Sequence, residues 1–218
     1  MRREHNWWDK YLVDVPEGKS GDWEVKRFSI SDEEAKHHNV MASFSFSCRG
    51  QHVYPGSYTM LTCGKKLVMS DTPSEIRDHL DVIGKAKGHV LIGGLGLGMV
   101  VAACLEKGED IVGLVTVVEI SPDVVKLVGH HLYDKFGYER LEIIQDDIFT
   151  WQPPKGVKYD VAWFDVWDNV CGDAAPEMSK LKRRFARKAE WKGCWREWEM
   201  RRANREDRKS FWWQNSHE

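Results

Sequence analysis

The chain has 218 residues, a length that suits one main domain with an appendage. Its 42% hydrophobic and 30% charged content fits a folded, well-solvated protein, and no run is long and apolar enough to cross a membrane. The formal charge of −2 hides an asymmetry: positions 177–209 hold 13 Lys/Arg against 6 Asp/Glu, so an acidic body carries a basic segment.

Arg2-Arg3-Glu4-His5 leads into no apolar stretch, so no secretory leader is expected. The five cysteines, Cys48, Cys63, Cys104, Cys171 and Cys194, are scattered and contain no C-x-x-C. Neither a disulfide framework nor a metal site is expected, and the cytoplasm is the expected location. The pairs His37-His38 and His130-His131 read as solvated rather than as ligands.

Residues 1–71 read as a β-rich region. Trp7, Trp8, Tyr11 and Trp23 supply bulky apolar surface. Ala42 to Cys48 alternates, with Phe44 and Phe46 on one face and serines on the other, which predicts a strand. Tyr58 to Cys63, the turn Gly64-Lys65-Lys66, and Leu67 to Ser70 predict a hairpin. A helix then starts with Thr72 as N-cap, Pro73 in the first turn and Glu75 closing a capping box. Ile76, Leu80 and Ile83 mark its buried face, and Gly84 or Gly88 ends it.

Positions 72–170 predict an αβ core. Val90-Leu91-Ile92 reads as a short buried strand, Gly93-Gly94-Leu95-Gly96-Leu97-Gly98 as a glycine-dense turn, and Met99 to Lys107 as a helix. Thr116-Val117-Val118 reads as a second strand ending in Glu119. This unit is the layout that holds the adenosine half of a cofactor: glycines admit close backbone approach, and a terminal carboxylate accepts from ribose hydroxyls. A dinucleotide fingerprint would need glycine where Met99 stands. What fits is G-x-G-x-G on Gly94, Gly96 and Gly98, and the P-loop pattern is absent. An ordinary βαβ turn with glycines for packing is the competing reading.

Further on, Ser121 caps a helix with Pro122 in its first turn. Leu141 to Gln145 reads as a third strand ending at Asp146-Asp147, and Tyr159 to Phe164 as a fourth ending at Asp165. Alternating strands and helices predict a parallel sheet with ligands beyond the strands' carboxyl ends. After Asp168 the strand pattern stops. Ala175 to about Lys209 reads as helical, with Asp173 as cap and Met178, Leu181 and Phe185 on one apolar face. Trp191, Trp195 and Trp198 form a second face, with a bend at Gly193. A sheet of four strands would leave an edge and a face uncovered, to be shielded by the N-terminal β region, the tryptophan helix or a second subunit, so a homodimer is one expectation.

Taken together, residues 55–170 resemble the spermidine synthase-like branch of the class I S-adenosylmethionine-dependent methyltransferase superfamily. The resemblance rests on the hairpin and capped helix, on Val90 to Gly94 with its glycines, and on Val118-Glu119-Ile120. It also rests on Gln145-Asp146-Asp147-Ile148-Phe149 and on Tyr159-Asp160-Val161 leading to Asp165-Val166-Trp167-Asp168. It implies an α/β, Rossmann-like parallel sheet, a truncated class I methyltransferase fold. A small β-rich N-terminal region precedes this core, and a charged, Trp-rich helical tail follows over 171–218. It further implies that Gly94, Gly96, Gly98, Glu119, Asp146 and Asp147 hold S-adenosylmethionine or its decarboxylated form. Glu119 would take the ribose and Asp147 the adenine amino group. Asp165 would receive a proton from the acceptor, and Asp168 would help to hold a polyamine.

Three functions stay open at this point. The leading one is methyl transfer to a small-molecule acceptor, such as an amine, with a carboxylate as general base and no metal. The others are aminopropyl transfer and a non-catalytic nucleoside-binding module. The basic tryptophan-rich tail reads as a helix packed on the domain, as a partner helix in a dimer, or as a grip on nucleic acid.

Overall fold

The computed structural model describes residues 6–43, 52–169 and 171–215. An antiparallel sheet comes first. Strands β1 (Gly18–Ser20), β2 (Trp23–Ile30), β3 (Gly56–Cys63) and β4 (Lys66–Ser70) lie in sequence order. The hairpin of β3 and β4 matches the sequence reading, with Gly64 at positive φ in its turn. Helix α1 (Asp32–Ser43) follows β2 and starts at a true capping box. The Ser31 N–H donates to Glu34 Oε2 at 2.8 Å, and the Glu34 N–H to Ser31 Oγ at 3.2 Å. Ala42 and Ser43, expected to open a strand, instead end α1; positions 44–48 of that expectation lie outside the described residues.

Asp71 ties this sheet to the N-terminal segment. Its buried carboxylate accepts from the Thr59 N–H at 2.6 Å and the Val13 N–H at 3.0 Å. Helix α2 (Pro73–Lys85) follows with proline in its first turn, and the Ala86 N–H caps its end on the Val82 carbonyl. The box expected at its start does not close. Thr72 makes no side-chain cap, and Glu75 Oε2 accepts from the Ser70 N–H at 3.3 Å.

The second sheet has five parallel strands in the order β7-β6-β5-β8-β9. Strands β5 (Gly88–Gly93) and β6 (Val112–Glu119) flank α3 (Met99–Leu105). Next come α4 (Pro122–Val124), a π-helical turn (Val125–Gly129) and α5 (His130–Phe136) in one continuous run, then β7 (Leu141–Gln145) and β8 (Tyr159–Phe164). Ser121 caps the run as expected, its Oγ accepting from the Val124 N–H at 3.3 Å. The fold is α/β and Rossmann-like.

The tail differs from its sequence reading. Helix α6 (Ala174–Arg184) buries Met178, Leu181 and Phe185 as expected. The chain then leaves the helical path for β9 (Ala189–Cys194), parallel to β8, before α7 (Glu197–Asn215). Trp191 therefore lies in a strand, Trp195 just after it, and Trp198 on α7. They do not share a helical face, and Trp198 is 64% exposed. Gly193 is no bend. It pairs with Trp163 across the β8–β9 ladder, where a side chain would run into the Trp163 ring. That space lets Trp163 and Trp191 stack with planes 7° apart. The β8 edge expected to need a partner is thus covered by the chain's own β9.

Strand alternation sends residues to two cores. Val90, Ile92, Val161 and Trp163 join one with α2, α3 and the antiparallel sheet. Leu91, Ala162 and Phe164 join the other with α6 and α7. Burial in the second core is what holds the tail on the sheet.

Candidate active site

Strand order reverses between β5 and β8, where connections leave to opposite sides and open a crevice at the strands' carboxyl ends. A cavity of about 510 Å³ lies there, roofed by the β3–β4 hairpin and bordered by α2. Its lining includes Gly94, Gly96, Glu119, Asp146, Asp147, Asp165 and Asp168, so one space brings together nearly every residue the sequence singled out. Gly98 stands apart as the left-handed N-cap of α3 (φ 73°), packed against Leu132 and Val128.

Gly94 and Gly96 also have positive φ, 93° and 53°, which other residues adopt only under strain. The space a side chain would fill is taken by the chain itself: the Asp165 carbonyl beside Gly94 and Met69 Sδ beside Gly96. The glycines therefore serve internal packing, and they bring the β5 turn directly against the β8 turn and the hairpin.

Glu119 ends β6 in a nearly closed setting, 7% exposed. Oε2 accepts from the Leu95 N–H at 2.7 Å and Oε1 from the Ser121 N–H at 2.8 Å. Burial raises its pKa, opposed in part by those backbone donors. Each oxygen keeps a lone pair for a further donor. Asp146 and Asp147 follow β7. Asp146 Oδ1 accepts from the Asp147 N–H and Asp147 Oδ1 from the Phe149 N–H, at 2.7 and 2.8 Å, so both shape the loop they occupy.

Two groups in the cavity were not read from the sequence as site residues, His79 not at all and Glu75 only as a helix cap. His79 lies on the buried stripe of α2, 1% exposed, with Nδ1 at 2.7 Å from the Glu75 carbonyl and Nε2 at 2.8 Å from Asp165 Oδ2. A carbonyl only accepts, so Nδ1 carries a proton. Burial opposes the ring's charge, but the hydrogen bond and attraction to Asp165, with help from Glu75, outweigh it and raise the pKa. Glu75, one helical turn earlier, also lines the cavity, and burial pushes its carboxyl up to about 7. The available signal was a histidine three residues after Ile76, within an apolar stripe.

Asp168 sits at the cavity's solvent-facing side in an ion pair with Lys66 of the hairpin. Trp167 donates its indole N–H to Glu177 at 2.8 Å and meets Phe149 edge-on. Trp163 is in the cavity wall, and its buried indole N–H has no hydrogen-bond partner among the described residues. The lining thus combines six carboxylates with Lys66, His79 and several aromatic rings. Such a lining favours a cationic ligand.

Among the described residues no group of three His, Cys, Asp or Glu could hold a metal ion, and no helix is long and apolar enough to cross a membrane. The thiols of Cys104 and Cys194 are pushed up to about 12 by burial. Part of the tail's positive charge is used internally: Lys182 and Arg201 pair with Glu197, Arg196 with Asp78 and Glu199, and Arg202 with Glu206.

No known protein-family description matches the chain, and no curated protein matches it. Solved structures are similar over about half of it. The mitomycin 7-O-methyltransferase MmcR is 19% identical with a TM-score of 0.41, over 52% of this chain and 32% of that one. The CcbJ methyltransferase from Streptomyces caelestis is 18% identical with a TM-score of 0.41, over 52% and 44%. A protein-L-isoaspartate O-methyltransferase is 26% identical with a TM-score of 0.37, over 46% and 31%. The matched part thus spans under half of each of those proteins.

Proposed function

We propose that the chain binds S-adenosylmethionine in this cavity and transfers its methyl group to a small acceptor bearing an amine. The observation that carries this reading is the single cavity that joins Glu119, Asp147 and the glycine turn to Asp165, Asp168 and Glu75. When bound, S-adenosylmethionine supplies an electrophilic methyl group on a sulfonium cation.

The residues present fit such a ligand. Glu119, held rigid by two backbone donors, offers its remaining lone pairs to the ribose hydroxyls. Asp146 and Asp147 take the adenine end. The acidic lining suits the positive sulfur. Asp165, fixed by His79, orients the acceptor. Methyl displacement is in-line, so holding both reactants in one enclosed space supplies much of the rate. An amine attacks only when neutral, so a carboxylate of the cavity must remove its proton. Pairing of Asp168 with Lys66 leaves less negative charge for the far ammonium of a polyamine, which favours methyl over aminopropyl transfer.

Calorimetric titration with S-adenosylmethionine, decarboxylated S-adenosylmethionine and S-adenosylhomocysteine tests the reading. Preference for the first and third is expected. Preference for the decarboxylated form would overturn methyl transfer, and binding of none by folded protein would overturn both.

A further inference from the structure

The groups around His79 have unequal freedom to accept a proton. Both ring nitrogens of His79 are engaged, Nδ1 with the Glu75 carbonyl and Nε2 with Asp165 Oδ2. An imidazolium satisfies both contacts, and its ring offers no lone pair to a substrate. One oxygen of Asp165 is committed to that ring. Glu75 is different. Its Oε2 takes a single long bond, 3.3 Å from the Ser70 N–H, and Oε1 enters no described hydrogen bond. Glu75 and His79 stand four residues apart on α2 and so share a helix face, which borders the same cavity as Gly94 and Asp165.

We infer that Glu75 is the carboxylate that receives the acceptor's proton, and that His79 and Asp165 are the pair that fixes its surroundings. This rests on the methyl-transfer reading above. In the step, the acceptor's N–H bond breaks and its proton passes to a Glu75 oxygen. The nitrogen's electron pair forms the new bond to the methyl carbon, and the electron pair of the broken carbon–sulfur bond stays on sulfur. Glu75 suits this role because burial brings its titration to about 7, where a carboxylate is both ionised often enough and basic enough to act. His79 is a positioning residue: its positive ring draws Glu75 toward the ionised form, while Asp165 and Asp78 oppose ionisation.

The test needs no known acceptor. Sinefungin carries an amine where S-adenosylmethionine carries its transferable methyl group, and S-adenosylhomocysteine carries nothing there. Their affinities for the full chain are compared by calorimetry from about pH 6 to about pH 8. The charged groups acting on Glu75 are His79 and Asp78 on its own helix and Asp165 after β8, with Arg196 paired to Asp78; Lys66 on the hairpin lines the same cavity and pairs with Asp168. If Glu75 faces the methyl position, the preference for sinefungin rises about tenfold as pH passes through the Glu75 titration, because an ion pair forms. Glu75→Gln, whose amide oxygen still accepts from Ser70, flattens that rise and leaves S-adenosylhomocysteine affinity within a few-fold.

A flat wild-type profile with S-adenosylhomocysteine bound overturns the inference alone. So does a rise that survives Glu75→Gln, or one that Asp165→Asn removes and Glu75→Gln does not. Failure of folded protein to bind S-adenosylhomocysteine overturns the methyl-transfer reading and the inference with it. The wild-type profile requires no substitution, so a variant that fails to fold does not block the test.

Discussion

Replacing Glu119 by alanine would strand two backbone donors, the N–H groups of Leu95 and Ser121, in a buried place. Each unsatisfied donor costs about 1–3 kcal/mol, so Glu119→Ala should lower the melting temperature as well as weaken S-adenosylhomocysteine binding at least roughly tenfold. A melting curve beside a calorimetric titration checks both; affinity equal to wild type would remove Glu119 from the ligand site. Glu75 supplies a pH dependence. Its folded pKa, about 7, exceeds its usual 4.5, so between these values the folded chain holds more proton than the unfolded one. Stability therefore falls as pH rises through that window, by no more than about 3 kcal/mol. His79 acts in the same direction at higher pH. Its raised pKa means that its contribution is complete below 6.5 and lost as pH climbs through the folded value. Melting temperature against pH should decline above about pH 5, more gently in Glu75→Gln; parallel curves would show that Glu75 does not titrate in that window.

Among elements, β9 and its neighbour β8 give the sharpest test of packing. Gly193 leaves space for two rings: an added Cβ would collide with the edge of the Trp191 ring and lie 2.9–3.0 Å from atoms of the Trp163 ring. Gly193→Val should cost about 1–3 kcal/mol by overpacking, read as a lower denaturant midpoint with unchanged slope. A neutral outcome would mean that the Trp163–Trp191 stack can shift freely. The same strand shows where sequence reading fails. β5, β6, β7 and β8 were legible because short apolar runs ended in glycine or acid. In β9, Glu190 and Lys192 interrupt the apolar pattern, and Trp191, Trp195 and Trp198 match helical spacing by coincidence. Burial on β8 decides the outcome, and that contact is not visible in a local window. His79 was missed for a related reason: a single polar side chain in an apolar stripe shows its partner only once α2 lies beside β8. The carboxyl-end acids were legible because strand ends of a parallel sheet converge by geometry.

At the scale of the molecule, the antiparallel sheet, the parallel sheet and the tail meet around one acidic cavity. The hairpin reaches over it from one side and the loop after β8 from the other, joined by Lys66 and Asp168. Both side chains are about half exposed, so water and ions reach the contact. This bridge has a kinetic consequence. A ligand that enters between hairpin and loop must first part the two charges. Salt loosens an exposed pair, so the association rate of electrically neutral S-adenosylhomocysteine should rise with ionic strength, opposite to the slowing of ordinary charge-steered encounters. Stopped-flow measurements should show this acceleration in the wild type and none in Lys66→Met. An equal response in both would mean that ligands reach the cavity by another route. The bridge would then act as a turnstile for traffic in both directions, setting how long a spent ligand stays inside as well as how fast a fresh one arrives.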